Sequence, residues 1–338
     1  MLLKELCAVE GVSGNEARIR NTILTYIRDK ADQVTVDTMG NIFALKKGSS
    51  HDKKILAAAP MDEIGLIVSG VTEKGYLRFK TVGDIDPRVL ISKKVRVGGR
   101  IPGIIGIKAI HLQKPEERKT TPPVSELFVD IGAKTKESAE KAVKKGDYIA
   151  FERVYRETDD GMVFANGLDS RGGCAALIQA MDEPCGYDTY FCFLVQEKTG
   201  LRGSGIAAYR IRPDFAVEIG GIGCADFHEI KSHQAVPVCK KGAAPVYMDS
   251  GMITDMQVYK AMLEIAAENQ IPVQEIIDSE KHNTKAIQSA AAGTAAAMIG
   301  FPCRYRNTPI NGAAREDMKA AAELLRAVIR DPSRLLRK

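Results

Sequence analysis

Apolar positions change period three times along the chain, and each change predicts a different kind of element. After the Ser13-Gly14 break, Ile19, Ile23, Leu24 and Ile27 recur at helical spacing, which predicts a helix over 15–31. VTVDTMGNIFALKKG then reads as a hairpin turning at Met39-Gly40-Asn41, and KILAAAP as a short apolar strand inside a parallel or mixed sheet. From about Gly65 to Phe151 short β-rich runs (GLIVSGV, YLRFKTV, KKVRVGG, PGIIGIK, ELFVDIGA, DYIAF) are punctuated by Gly, Pro and Asp. A single predicted helix, 136–145, interrupts them, and the texture is that of a small barrel or sandwich.

Beyond Phe164 the pattern alternates again: helix 170–181, strands TYFCFLV and FAVEI, helix 254–269, strand PVQEIID, helix 285–299, and a last helix from about Ala313. Strand–helix alternation on both sides of a β-rich block predicts an α/β domain, 1–64 and 152–338, interrupted by an inserted β domain, 65–151.

Composition narrows the classes. Of the 338 residues 45% are hydrophobic and 27% charged, a globular mixture that excludes wholesale disorder. The net charge of +5 is spread thinly, Trp is absent and aromatics are 6%, so neither a basic nucleic-acid arm nor a stacking platform is expected. Seven cysteines without a CxxC pair argue against a disulfide framework or zinc ribbon and for a reducing, cytoplasmic setting. The N-terminus meets acidic residues too early for a signal peptide. The charge-free stretch between Lys285 and Arg304 reads as a buried, closely packed helix, not a membrane span.

Four places put polar residues at the ends of apolar strands, where α/β enzymes build sites. Asp62 and Glu63 follow the first strand, as a ligand-orienting pair or a solvated turn. Asp169 or Ser170 opens the helix of LDSRGGCAAL as an N-cap, with Gly172-Gly173 allowing close packing. Gln196, Glu197 and Lys198 enter a Gly-rich loop after TYFCFLV, as a site or a surface pair. Glu218 ends FAVEI, where a carboxylate is costly unless partnered. His51, His111, His228, His233 and His282 form no HxxxH or HExxH pattern, GxSxG is missing, and GIGCAD and VGGRIPG read as turns.

Taken together, MDEIGLIV, GDIDPRVL, ELFVDIGAK, GLDSRGGCAAL, VQEKTGLRGSG and CRYRNTP resemble, in order and spacing, the tetrahedral aminopeptidases, also called the glutamyl or deblocking aminopeptidase group and once mislabelled endoglucanases. The resemblance covers nearly the whole chain. It implies a zinc-peptidase-like α/β domain carrying a PDZ-like β insert, a twelve-subunit tetrahedral shell, and two bridged divalent metals, zinc or cobalt.

Against that pattern the chain departs at several positions. Pro60 stands where the family has a His ligand, with its orienting carboxylate retained as Asp62. The bridging Asp is Asp169, the general base is Glu197, and Lys198 replaces the adjoining Glu ligand. Glu218 stands for an Asp ligand, Asn307 for the final His, and Asn283 for the Asp of a Gly-Thr-Asp-Ala stretch. Asp169 and Glu218 remain as residual ligands, fewer than the three a catalytic zinc takes from protein, and the Lys198 ammonium is expected to neutralise Asp169, Glu197 and Glu218. The expected protein therefore has no cofactor and is a non-catalytic homologue. It binds peptides, regulates, or joins itself or active paralogues in a dimer-to-dodecamer shell. The alternative is a hydrolase with a rearranged or single-metal site, using Glu197 as base and Lys198 as electrophile. A third reading is glycoside hydrolysis by Glu197 and Glu218.

Overall fold

A computed structural model describes residues 1–224, 226–228, 230 and 237–336. Ala225 of GIGCAD and His233 lie outside the described residues. The centre is an 11-stranded mixed sheet in which four strands run parallel: Tyr187–Leu194, Ser50–Pro60, Phe215–Gly223 and Ala295–Arg304, in that spatial order. Their side chains alternate between two apolar layers. Ile55, Ala57 and Ala59 face the helices Leu2–Ala8, Ala17–Ile27, Leu168–Ala180, Met256–Glu268 and Arg315–Arg330; Leu56 and Ala58 face Arg202–Ile211 and Asn283–Gln288. Burial on both faces explains why these strands read as continuous apolar runs.

The hairpin Gln33–Val36 and Ile42–Lys46 lies at one edge, with Val36 opposite Ile42 and Gly40 in its turn at φ +101°. Between 65 and 151 six strands close into a separate barrel: Gly65–Val71, Leu77–Val82, Phe128–Asp130, Ile101–Gly106, Lys94–Val97 and Tyr148–Phe151. Leu66, Phe79, Val97, Val129 and Ile149 fill its own core. Closure removes the exposed edges that so many short strands would otherwise present.

Several expectations are corrected. The helix expected over 285–299 is only Asn283–Gln288; the chain reverses through Gly293 at φ +94° and enters the strand Ala295–Arg304. Alanine favours helix locally, but between Phe215–Gly223 and Ala244–Met248 small residues are what a tightly covered strand needs, and context overrides propensity. The helix Arg202–Ile211 and the strands Tyr155–Glu157, Met162–Ala165, Ala244–Met248 and Asn311–Ala314 were not foreseen. PVQEIID shrinks to the two-residue strand Ile276–Ile277. The early helix is Ala17–Ile27, and the helix within the barrel ends at Ala142.

Among the described residues no helix is long and apolar enough to cross a membrane. All seven cysteines are free and buried.

Candidate functional site

The carboxyl ends of the four parallel strands deliver the site, as expected for an open α/β sheet. Asp62 lies two residues past Pro60, Glu197 and Lys198 just past Leu194, Glu218 within the third strand, and Arg306 two residues past Arg304. Asp169 comes from the first turn of the helix Leu168–Ala180, laid close on the sheet by its glycines. A Cβ at Gly173 would stand 2.3 Å from the Ile219 carbonyl oxygen, and one at Gly221 would stand 2.8 Å from the Asp169 Cα.

Asp62 is fully buried and clamps the loop of the Glu-Lys pair: its Oδ1 accepts the Glu197 N–H at 3.0 Å and its Oδ2 the Lys198 N–H at 3.0 Å. Those two donors belong to a turn that Gln196 enters at φ +57°. The Lys198 side chain is thereby fixed inside, with Nζ 2.8 Å from Asp169 Oδ2 and 3.2 Å from Glu197 Oε2. Arg306 adds a second cation. Its Nη2 lies 3.3 Å from Glu197 Oε1, its Nε 3.7 Å from Asp169 Oδ2, and its Nη1 pairs with Glu280. The side chains of Lys198 and Arg306 are only 6% and 7% exposed, so these pairs are shielded from water.

The ionisation states follow. Burial works against the Lys198 charge, but Asp169 and Glu197 outweigh it and hold the ammonium above its ordinary range. Burial likewise opposes ionisation of Asp169, yet Lys198 and Arg306 hold its carboxyl below the usual value. Burial, reinforced by Glu197, pushes the Asp62 carboxyl up to about 7. Glu218 is also raised by burial, only partly offset by His282 and Asn283.

Three placements differ from expectation. Lys198 does not reach Glu218: Glu218 Oε1 accepts from Asn283 Nδ2 and its Oε2 from the Thr284 N–H, both at 2.7 Å, at the start of the helix Asn283–Gln288. Neutral donors replace the expected cation because the first turn of that helix brings an amide side chain and a backbone N–H with no partner within the helix to a buried carboxylate. Neither Asp169 nor Ser170 caps its helix; the cap is Gly167 at φ +60°, which leaves the Asp169 carboxylate to Lys198. Glu63 parts from Asp62, accepting the Gly11 N–H at 2.9 Å and pairing with Arg153 Nη2 at 2.7 Å. It therefore ties the N-terminal segment to the exit from the barrel.

A cavity of about 760 Å³ opens over Lys198, Glu197 and Arg306, walled by Glu280, Lys281 and Lys285. Asp84 of GDIDPRVL lines it from the barrel side. Asn307 also lines it, held at φ +57°. Glu218 does not line it, so Glu197 and Glu218 are not presented together to a ligand, as a glycoside cleft would require. Among the described residues, no three His, Cys, Asp or Glu ligand atoms of this cavity lie within 4.8 Å of one another. Arg306 was missed in the sequence although it stands beside Asn307 in CRYRNTP. Reading the preceding strand as helix hid the fact that this segment leaves the sheet at its carboxyl end.

Comparison with known proteins agrees with this architecture. The family model for M42 glutamyl aminopeptidase matches residues 40–324. A putative aminopeptidase of Acetivibrio thermocellus is 36% identical over 327 residues, 96% of each chain. The TET aminopeptidase of a marine-sediment Thaumarchaeota archaeon superposes with a TM-score of 0.95 at 29% identity, covering 99% of this chain and 97% of that one. The TET1 peptidase of Pyrococcus horikoshii, which can assemble into a tetrahedron or a large octahedral shell, superposes at 0.86 with 30% identity, covering 97% and 98%. The fold over nearly the whole chain is thus shared with solved TET peptidases, and the chain is a member of the M42 glutamyl aminopeptidase family.

Proposed function

We propose that this chain is a non-catalytic member of its family whose cavity over Lys198 and Arg306 holds no metal and binds short peptides, and that it assembles with copies of itself or with active paralogues, in the cytoplasm. The carrying observation is the Lys198 ammonium 2.8 Å from Asp169 and 3.2 Å from Glu197, where paired divalent metals would have to sit against a bridging Asp169. Arg306 doubles that positive charge. Pro60 has no donor side chain, Asn307 is a weak ligand for zinc, and Glu218 is already committed to Asn283 and Thr284. Catalytic zinc takes three protein ligands and an open position, and this donor set does not fit two of them. The internal cations supply the charge compensation that metals supply elsewhere. The barrel, read as a PDZ-like insert, and the shell-forming habit of the Pyrococcus horikoshii relative support the architectural side of the reading.

A hydrolase that uses Glu197 as base and Lys198 as electrophile is the competing reading. It is favoured by Glu197 Oε2, which is buried, has no aligned hydrogen-bond donor and belongs to a residue lining the cavity. One experiment separates the two. Crystals soaked in zinc or cobalt, read by anomalous scattering, are expected to show no metal at Asp169, and the protein to release no amino acid from peptide substrates with or without added metal. Two metals bridged by Asp169, or turnover abolished by Glu197→Gln, would overturn the non-catalytic reading.

A further inference from the structure

A second cluster lies outside the cavity, at the same end of the sheet. Cys224 follows the strand Phe215–Gly223, Cys239 precedes Ala244–Met248, and Asp226 sits two residues beyond Cys224. The two Sγ atoms are 3.7 Å apart, and Asp226 Oδ1 is 3.0 Å from Cys224 Sγ. Among the described residues this is the only grouping of three such ligand atoms within 4.8 Å of one another. None of its residues lines the cavity over Lys198.

We propose that Cys224, Asp226 and Cys239 form a binding site for a single thiophilic divalent cation of the zinc class. Two thiolates at about 2.3 Å from a tetrahedral zinc lie about 3.8 Å apart, so the sulfur pair already stands at the spacing of one coordination edge. The third ligand is oriented by its neighbours. Arg304 Nε and Nη2 hold the Asp226 oxygens at 2.7 and 2.6 Å, and the Cys239 N–H donates to Oδ2 at 3.1 Å. Such outer partners are what fix a carboxylate for ligation. The charges also close: two thiolates, one carboxylate, one guanidinium and a divalent cation sum to zero, so binding exchanges two thiol protons for the metal without leaving a buried net charge. The Pro237 carbonyl, 3.2 Å from Cys224 Sγ, or a water completes the fourth position. Cys224 and Cys239 are 6% and 7% exposed, enough to shield the site.

The test is anaerobic titration of the reduced full-length chain with cobalt(II). One cobalt per chain with a thiolate-to-cobalt charge-transfer band is expected, bleached when zinc is added to the wild type. Cys224→Ser and Cys239→Ser should lose the band, Cys7→Ser should keep it, and Asp226→Asn should weaken cobalt binding by at least about ten-fold. A reduced wild type without the band, a band that survives both serine variants, or a pair that forms a disulfide and takes up no cobalt after reduction would overturn the site. A second cobalt, bound in addition to the one that gives the thiolate band and lost in Asp169→Asn, would count against the metal-free cavity and leave this site standing, so the two readings fail separately.

Discussion

At the scale of single residues, Lys198 explains most of the cavity's chemistry. Two buried carboxylates meet one ammonium, and removing that ammonium leaves Asp169 and Glu197 facing each other with only Arg306 to divide between them. Lys198→Ala is therefore expected to destabilise the protein by about 3–5 kcal/mol, measured as a lowered urea midpoint. Unchanged stability would mean that the pair is not buried in solution. Asp62 gives a pH signature of its own. Its carboxyl is raised from 3.8 to about 7, so between those values the folded state binds a proton that the unfolded state has released. Stability contributed by this group is therefore present at low pH and declines as pH rises through the window, by up to about 1.4 kcal/mol per pH unit. Asp62→Asn, which keeps a carbonyl acceptor without the charge, should flatten the slope between about pH 4 and pH 7. An unaltered slope would assign it to another group.

At the scale of elements, the site depends on how closely the helix Leu168–Ala180 lies on its sheet. Gly173 has no room for a methyl group, with the Ile219 carbonyl 2.3 Å from where a Cβ would stand. Gly173→Ala should cost about 1–3 kcal/mol and displace Asp169 from Lys198, visible as a raised acid-unfolding midpoint when the ion pair loosens. The sign follows because Asp169 is held below its ordinary value: its contribution is present above that value and lost as pH falls. Element types were largely legible from periodicity. The alternation of 65–82 and the apolar run 189–194 gave strands, and Ile19, Ile23 and Ile27 gave a helix. The alanine-rich strand Ala295–Arg304 was not legible, because alanine's local preference points to helix while its place between two strands is a property of the whole sheet.

At the scale of the whole molecule, the inserted barrel has its own core and carries several exposed apolar side chains, among them Ile104, Ile110 and Leu112. If the chain assembles with copies of itself as we propose, such surface should lie between the copies. Light scattering at micromolar concentration is expected to return a mass several-fold above the 36.8 kDa of one chain. A mass equal to one chain would show that the barrel merely folds on its own core.

The order of motifs along this chain determined the family and the positions where carboxylates, lysine and proline stand, because strand ends can be read from local apolar runs. Charge balance read from the sequence also led to the Lys198 ammonium being set against Asp169, Glu197 and Glu218, and in the structure it meets the first two. Only the tertiary structure decided that Glu218 is satisfied by Asn283 and Thr284, that Arg306 is the second cation, and that Cys224 and Cys239 face each other beside Asp226. Those partners come from segments as far as 306 − 169 = 137 residues apart in the chain. Pairing across such separations is set by sheet order and loop closure, for which no local pattern in the chain carries a signal.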